Sequence, residues 1–129
     1  MLDMLDVGIM YQKYNFGNLE VYKLANELLK EIYNLSLKFP KEETFILGAQ
    51  LKRAAISVIL NITEGSARNK KEFARFVDIA LGSLIEVKAC CIIAENLKYI
   101  SKITFNQIIT RIDELFFKLL SLKRYLKKQ

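Results

Sequence analysis

The stretch from Gln50 to Leu84 constrains the fold more than any other part of the chain. It reads QLKRAAISVILNITEGSARNKKEFARFVDIALGSL and contains two segments in which apolar residues recur every three or four positions, the spacing of an α-helix. Gly65 and a short basic turn separate the two segments. The stretch therefore predicts two consecutive helices joined by a short connection, and the rest of the chain must supply partners for their apolar faces.

The same spacing predicts a helix before this stretch. The first helix is expected from about Leu19 to Lys38, because the residue before Pro40 is pushed out of helical geometry. The second is expected from about Glu43 to Glu64, with Gly65 as its stop.

Two capping boxes predict where the last two helices begin. Asn69 is followed three residues later by Glu72, and the third helix is expected to continue from there to about Lys98. Thr104 with Gln107 gives the second box, which is expected to open the fourth helix.

A chain of 129 residues with one proline and five glycines fits a single helical domain. Long helices joined by short loops imply antiparallel neighbours. We therefore predict an all-α domain over residues 19–129, an up-down-up-down antiparallel four-helix bundle. Residues 1–18 are weakly patterned and are expected to form an arm or short helix that docks through its aromatic residues, which are Tyr11, Tyr14 and Phe16.

The residues that are missing argue against catalysis. The chain has no histidine, which removes the commonest general base near neutral pH and the commonest zinc ligand. Cys90 and Cys91 are adjacent, and on a helix their side chains point about 100° apart, so they are expected to stay reduced. We expect no enzymatic activity, no cofactor and no metal.

Neither a signal peptide nor a membrane span is predicted, and a cytoplasmic location is the expectation.

The charge of the chain favours a polyanionic partner. Lys and Arg outnumber Asp and Glu by 20 to 14, and the excess lies downstream of residue 35. Either these cations bind nucleic acid or they are ordinary solvated helix faces. The candidate nucleic-acid-binding residues are Lys52, Arg53, Arg68, Lys70, Lys71, Arg75, Lys123, Arg124, Lys127 and Lys128.

The second and third helices carry more apolar surface than a solvent-facing bundle helix needs. Their surplus side chains lie off the stripe that faces the core, which is typical of helices shared with another subunit. The predicted interface between copies of the chain comprises Ile56, Leu60, Ile85 and Ile92.

Four phrases in the sequence carry a family resemblance. They occur in order over about residues 19–100 and read FPKEE, QLxRAAxSV, NIxEG and EFxRFxxIAxGSL. The chain thereby resembles the four helix bundle protein family, also called S23 or 23S rRNA intervening sequence proteins. The resemblance implies an up-down bundle of bacterial origin that assembles as a homopentamer. A similarly folded protein, the accessory variability determinant of diversity-generating retroelements, is a basic pentamer that works with a reverse transcriptase and nucleic acid.

The family's NIxEGxxR phrase falls on Asn61, Glu64, Gly65 and Arg68. The polar members are expected either to form a structural network at the end of the second helix, with Arg68 reaching back to Glu64, or to offer Arg68 to a phosphate. The chain departs from the family at Ile59–Leu60, where Pro-Ser is usual, so the kink usual there is not expected.

Two functions remain open at this point. The first is a homo-oligomeric, pentameric basic bundle that binds nucleic acid, RNA rather than DNA, without chemistry of its own. The alternative is a protein-interaction module that docks a reverse transcriptase or a ribosome-associated partner.

Overall fold

The computed structural model describes residues 19–128, which form four α-helices joined by short connections. The helices are α1 (Glu20–Ser36), α2 (Leu47–Ser66), α3 (Lys70–Asn96) and α4 (Lys102–Lys127), and a 3-10 turn, Lys41–Glu43, follows α1. Consecutive helices pack side by side and α1 also contacts α4, so the four enclose one core. The predicted all-α four-helix bundle is confirmed. The predicted arm over residues 1–18 lies outside the described residues.

The core is built from one apolar stripe on each helix. Burial of each large side chain stabilises the fold by about 1.5–3 kcal/mol before the entropy of ordering is subtracted. The largest fully buried apolar side chains are Ile32, Leu51, Ile62, Leu84, Ile112, Leu115 and Leu119. Cys90 and Cys91 are free and buried on α3, as predicted, and burial raises the pKa of the Cys91 thiol to about 12.

Two predicted helix starts are wrong. The second helix begins at Leu47 instead of Glu43, because Pro40 leads into a tighter turn in which the Glu43 N–H donates to the Pro40 carbonyl at 2.9 Å. The fourth helix is capped by Ser101 instead of Thr104. The Ser101 hydroxyl accepts a hydrogen bond from the Thr104 N–H at 3.1 Å, so Thr104 lies inside the first turn.

The α1–α2 and α3–α4 connections meet at one end of the bundle. The Tyr99 hydroxyl donates to the Glu43 carboxylate at 2.7 Å, and the Tyr99 ring lies 5.8 Å from that of Phe39. Lys98 takes a left-handed conformation with φ of 63°, which turns the chain after α3. These contacts hold the two connections against each other.

Ion pairs between helices are concentrated on α4. In residues 19–128, every ion pair that joins two helices has one partner on α4 and the other on α1 or α3. The pairs are Glu20–Lys118, Glu31–Arg111, Asp78–Lys123, Lys88–Asp113 and Glu95–Lys102. The α2–α3 seam has no such pair in this part of the chain and is instead joined by apolar contacts and by a 2.8 Å contact between the Ser57 and Ser83 hydroxyls.

Candidate nucleic-acid interface

The antiparallel arrangement brings two of the predicted basic clusters together. The start of α3 and the end of α4 lie side by side. Lys123 Nζ is 2.6 Å from Asp78 Oδ1, and Lys70 Nζ is 5.6 Å from the centre of the Tyr125 ring. We call this region the basic end and define it as residues 68–75 and 123–128.

A cleft of about 450 Å³ opens between the two helices at the basic end. Three cations face it: Lys71 and Arg75 from α3 and Lys127 from α4. None of the three pairs with a carboxylate within residues 19–128. The two acids that also line the cleft already have partners, since Glu72 pairs with Arg68 and Asp78 pairs with Lys123. The cleft therefore presents uncompensated positive charge.

The position of these cations depends on where α3 starts. The Asn69 side chain accepts a hydrogen bond from the Glu72 N–H at 2.9 Å, which confirms the predicted cap. Lys71 and Arg75 are one turn apart on the helix that follows, so they project from neighbouring positions on the same face. The local sequence thus fixes the spacing of two of the three cleft cations.

Arg68 pairs with carboxylates on both sides of the α2–α3 junction. Its guanidinium pairs with Glu64 and, at 3.4 Å, with Glu72, and it lies 5.5 Å from the centre of the Phe76 ring. The hydrogen bond to Glu64 and the charge of that carboxylate raise the pKa of Arg68 above its usual value. The predicted contact from Arg68 back to Glu64 is confirmed, and Arg68 ties the end of α2 to the start of α3.

Asn61 does not belong to this network. Its side-chain amide donates to the Ser57 carbonyl at 2.8 Å and contacts the Ser57 hydroxyl at 3.2 Å, next to the contact between Ser57 and Ser83. The expectation that Asn61, Glu64 and Arg68 form one group is wrong, because Asn61 is half-buried against its own helix while Glu64 is exposed.

Position 65 requires glycine because α3 comes close to α2 there, whereas the sequence predicted Gly65 as a helix stop. It lies inside the last turn of α2, is buried, and has no left-handed φ. A Cβ atom at this position would lie 2.7 Å from both Phe73 Cδ1 and Phe76 Cβ. The absence of a side chain therefore allows α3 to start directly against the end of α2.

Lys52 and Arg53 lie away from the basic end. Lys52 Nζ is 4.8 Å from the centre of the Tyr33 ring, and Arg53 donates to the Gln50 side chain at 3.4 Å. Thirteen residues separate Lys52 from Gly65, which is about 20 Å along a helix. The structure does not bring these two cations to the cleft. Arg124 and Lys128 do lie at the basic end, on the last turn and cap of α4.

Sequence reasoning missed Tyr125. Its ring is 56% exposed beside Lys70, at the edge of the basic end. An exposed aromatic ring among cations is a suitable stacking surface for a nucleic-acid base. The signal was present in the run KRYLKK, where one aromatic residue interrupts the cations.

The predicted interface residues lie on the outer faces of α2 and α3. Leu60, Ile85 and Ile92 are exposed, and Ile56 is half-buried. The exposed face of α3 also carries Gly82. A Cβ atom added there would meet no other atom within 4 Å, so the fold of one copy does not require a glycine at this position. Further exposed apolar residues on this face are Ile79 and Ile93.

The described residues show neither a membrane span nor a metal cluster. None of the helices within residues 19–128 is long and apolar enough to cross a membrane. In the same range, no group of three or more His, Cys, Asp or Glu residues is arranged to hold a metal ion.

Comparison with known proteins agrees with the fold and with the resemblance. A crystal structure of a protein of unknown function from the S23 ribosomal protein family of Bacteroides thetaiotaomicron is similar, with a TM-score of 0.73 and 23% identity. The match covers 80% of this chain and 97% of the other. No curated protein sequence matches significantly. The family model described as 23S rRNA-intervening sequence protein matches residues 17–121, and the chain belongs to that family.

Proposed function

We propose that this protein is a non-enzymatic, homo-oligomeric RNA-binding bundle whose basic end contacts the phosphate backbone. The observation that carries the proposal is the cleft between α3 and α4, in which Lys71, Arg75 and Lys127 converge without carboxylate partners among residues 19–128. Cations that neutralise phosphates release condensed counterions, which provides affinity without sequence specificity.

Two further features bear on the kind of nucleic acid: the first favours a single strand and the second favours RNA. Tyr125 provides an exposed ring beside the cleft, and stacking on an aromatic ring contributes about 1–3 kcal/mol per base. The description of the family refers to 23S rRNA, which favours RNA over DNA as the polymer.

The oligomeric part of the proposal rests on the exposed face of α3. A glycine in a helix interior costs about 1 kcal/mol relative to alanine, yet nothing in one copy occupies the space at Gly82. The flanking Ile79 and Ile85 are exposed. A second copy packed closely on this face accounts for both observations. A ring of five copies, the pentamer that the family resemblance implies, carries a formal charge of +30 from +6 per chain.

The binding test compares two variants that each lower the formal charge from +6 to +3. The cleft variant is Lys71→Gln/Arg75→Gln/Lys127→Gln. The matched control, Lys38→Gln/Lys41→Gln/Arg53→Gln, removes the same charge away from the basic end. Fluorescence anisotropy with a labelled single-stranded RNA of about 20 nucleotides is recorded from 50 to 400 mM NaCl, with an RNA hairpin and single-stranded DNA in parallel.

The slope of log K against log salt is negative, and each phosphate contact adds about 0.7 to its steepness for single strands. The loss of three contacts therefore makes the slope less steep by about 2. Affinity then falls about 100-fold at 0.1 M salt and only about sevenfold at 0.4 M. Equal losses in the two variants would show that net charge, and not the cleft, drives binding. If the wild type does not bind RNA at 50 mM NaCl, the proposal fails and the alternative of a protein-docking module stands.

The assembly test is separate. Light scattering is expected to give about 75 kDa, five copies of the 14.9 kDa chain, or a multiple of that mass where rings associate further. The Ile85→Asp/Ile92→Asp variant is expected to lose this assembly without losing helix content, because both side chains are exposed in one copy. An unchanged mass in this variant would exclude the α3 face as the interface.

A further inference from the structure

The end of the bundle opposite the basic end carries large apolar side chains that no part of the proposed function uses. They lie in or beside the α1–α2 and α3–α4 connections, and each is more than half exposed. We call the following five residues the apolar end: Leu37 (81% exposed), Phe45 (89%), Ile46 (68%), Leu97 (52%) and Ile103 (73%).

The apolar end rests on connections that are held in place. The hydrogen bond from Tyr99 to Glu43, and the contact between the Phe39 and Tyr99 rings, join the two connections. A surface that is already ordered loses little conformational entropy when it is covered, so more of the burial energy is available for association.

We propose that the apolar end is a docking surface for a second copy of this chain, so that two bundles meet end to end. The exposed area of the five side chains is on the order of 700 Å², at roughly 200 Å² per fully exposed large apolar residue. Two copies together would bury up to about 1,400 Å², which reaches the range of stable specific interfaces.

The distribution of charge allows a second copy as the occupant. The two connections and their flanking residues carry four lysines (Lys38, Lys41, Lys98 and Lys102) and three glutamates (Glu42, Glu43 and Glu95), a net charge of only +1. The 26 residues of α4 span about 39 Å, so an end-to-end pair would hold its two basic ends about 80 Å apart. This separation is far beyond the screening length of about 10 Å at 0.1 M salt. Like charge therefore does not oppose the contact, and both basic ends remain accessible.

The test separates this contact from the proposed contact on α3. In the Ile85→Asp/Ile92→Asp background, sedimentation equilibrium is expected to give about 30 kDa, twice the 14.9 kDa chain. Adding Phe45→Ser is expected to raise the dissociation constant of this dimer at least about 100-fold, because each dimer loses two exposed phenyl rings. The matched control is Phe117→Ser, which removes a ring that is 65% exposed in the middle of α4. It is expected to leave the dimer unchanged.

A cross-linking experiment provides an independent readout. Both native cysteines are buried, so Ile103→Cys introduces a single exposed thiol at the apolar end. On a non-reducing denaturing gel, oxidation is expected to convert the Ile103→Cys chain to a disulfide-linked dimer, whereas Thr110→Cys, on the side of α4, is expected to run as a single chain. A monomer in the first background, or equal cross-linking of the two cysteine variants, would overturn the proposal. The proposal would also be overturned if the wild-type protein formed a 1:1 complex with a different protein and Phe45→Ser weakened that complex.

Discussion

The contact around Gly65 allows a sharp test of how α2 meets α3. Replacing Gly65 with alanine places a Cβ atom 2.7 Å from Phe76 Cβ and from Phe73 Cδ1. Phe76 Cβ is attached directly to the backbone of α3, so a rotamer change cannot relieve this overlap. The start of α3 must shift away from the end of α2, and the Arg68 pairs with Glu64 and Glu72 span this same junction.

The expected magnitude follows from two opposing effects. Overpacking of this kind costs about 1–3 kcal/mol, and alanine recovers about 1 kcal/mol of helix propensity. We expect Gly65→Ala to lower the free energy of unfolding by up to about 2 kcal/mol, equivalent to a fall in melting temperature of up to roughly 8 °C for a domain of this size. Gly82→Ala is the matched control. Both variants are made in the Ile85→Asp/Ile92→Asp background, which removes the proposed contact on α3. There the added Cβ at position 82 has no neighbour within 4 Å, and the substitution is expected to raise the free energy of unfolding by up to about 1 kcal/mol.

The assay is urea unfolding followed by circular dichroism at 222 nm, repeated at several protein concentrations so that association is separated from folding. The order of stability is the decisive result. If Gly65→Ala unfolds at the same urea concentration as Gly82→Ala or at a higher one, the close approach of α3 to α2 is not the reason for glycine at position 65.

Two other predictions concern the connection after α3 and the buried thiols. Lys98→Gly is expected to raise the free energy of unfolding, measured in urea, by about 0.5–1 kcal/mol. The reason is that the φ angle of 63° strains any residue with a Cβ. Lys98→Ala keeps this strain and is expected to give no such gain. The pKa of Cys91 is raised to about 12 by burial, so its contribution to stability is complete below the unfolded-state pKa of about 8.5 and is lost as pH rises toward 12. Between pH 9 and pH 11 the free energy of unfolding should therefore fall by roughly 2 kcal/mol more in the wild type than in Cys91→Ala, and parallel pH profiles would contradict this.

The helices were predictable because their evidence is periodic and local. Apolar spacing identified all four, and the Asn69 cap could be read from adjacent residues because its hydrogen bond spans only three positions. The starts of α2 and α4 were not predictable in the same way. After Pro40 the chain can form either an α-turn or a 3-10 turn, and Ser101 competes with Thr104 for the same helix end. Both choices depend on contacts outside the local sequence.

The sequence predicted which cations could form the candidate site but not where they come together in the fold. The sequence named Lys71, Arg75 and Lys127, yet their convergence depends on the lateral register of α3 and α4. It also named Lys52 and Arg53, which the fold places about 20 Å along α2 from Gly65. Arg68 has two carboxylate partners, of which the sequence predicted Glu64 but not Glu72.

The concentration of ion pairs on α4 has a consequence for partial unfolding. Exposed ion pairs contribute at most about 1 kcal/mol each and weaken as salt is added. Five such pairs attach α4 to α1 and α3. The amide protons of α4 are therefore expected to lose the most protection against hydrogen exchange as ionic strength rises. Those of α2 and α3 are expected to keep their protection. Lys127 and Tyr125 are carried by this helix. The proposed RNA binding is therefore expected to weaken with salt for two reasons: salt screens the phosphates, and it loosens the helix that completes the cleft.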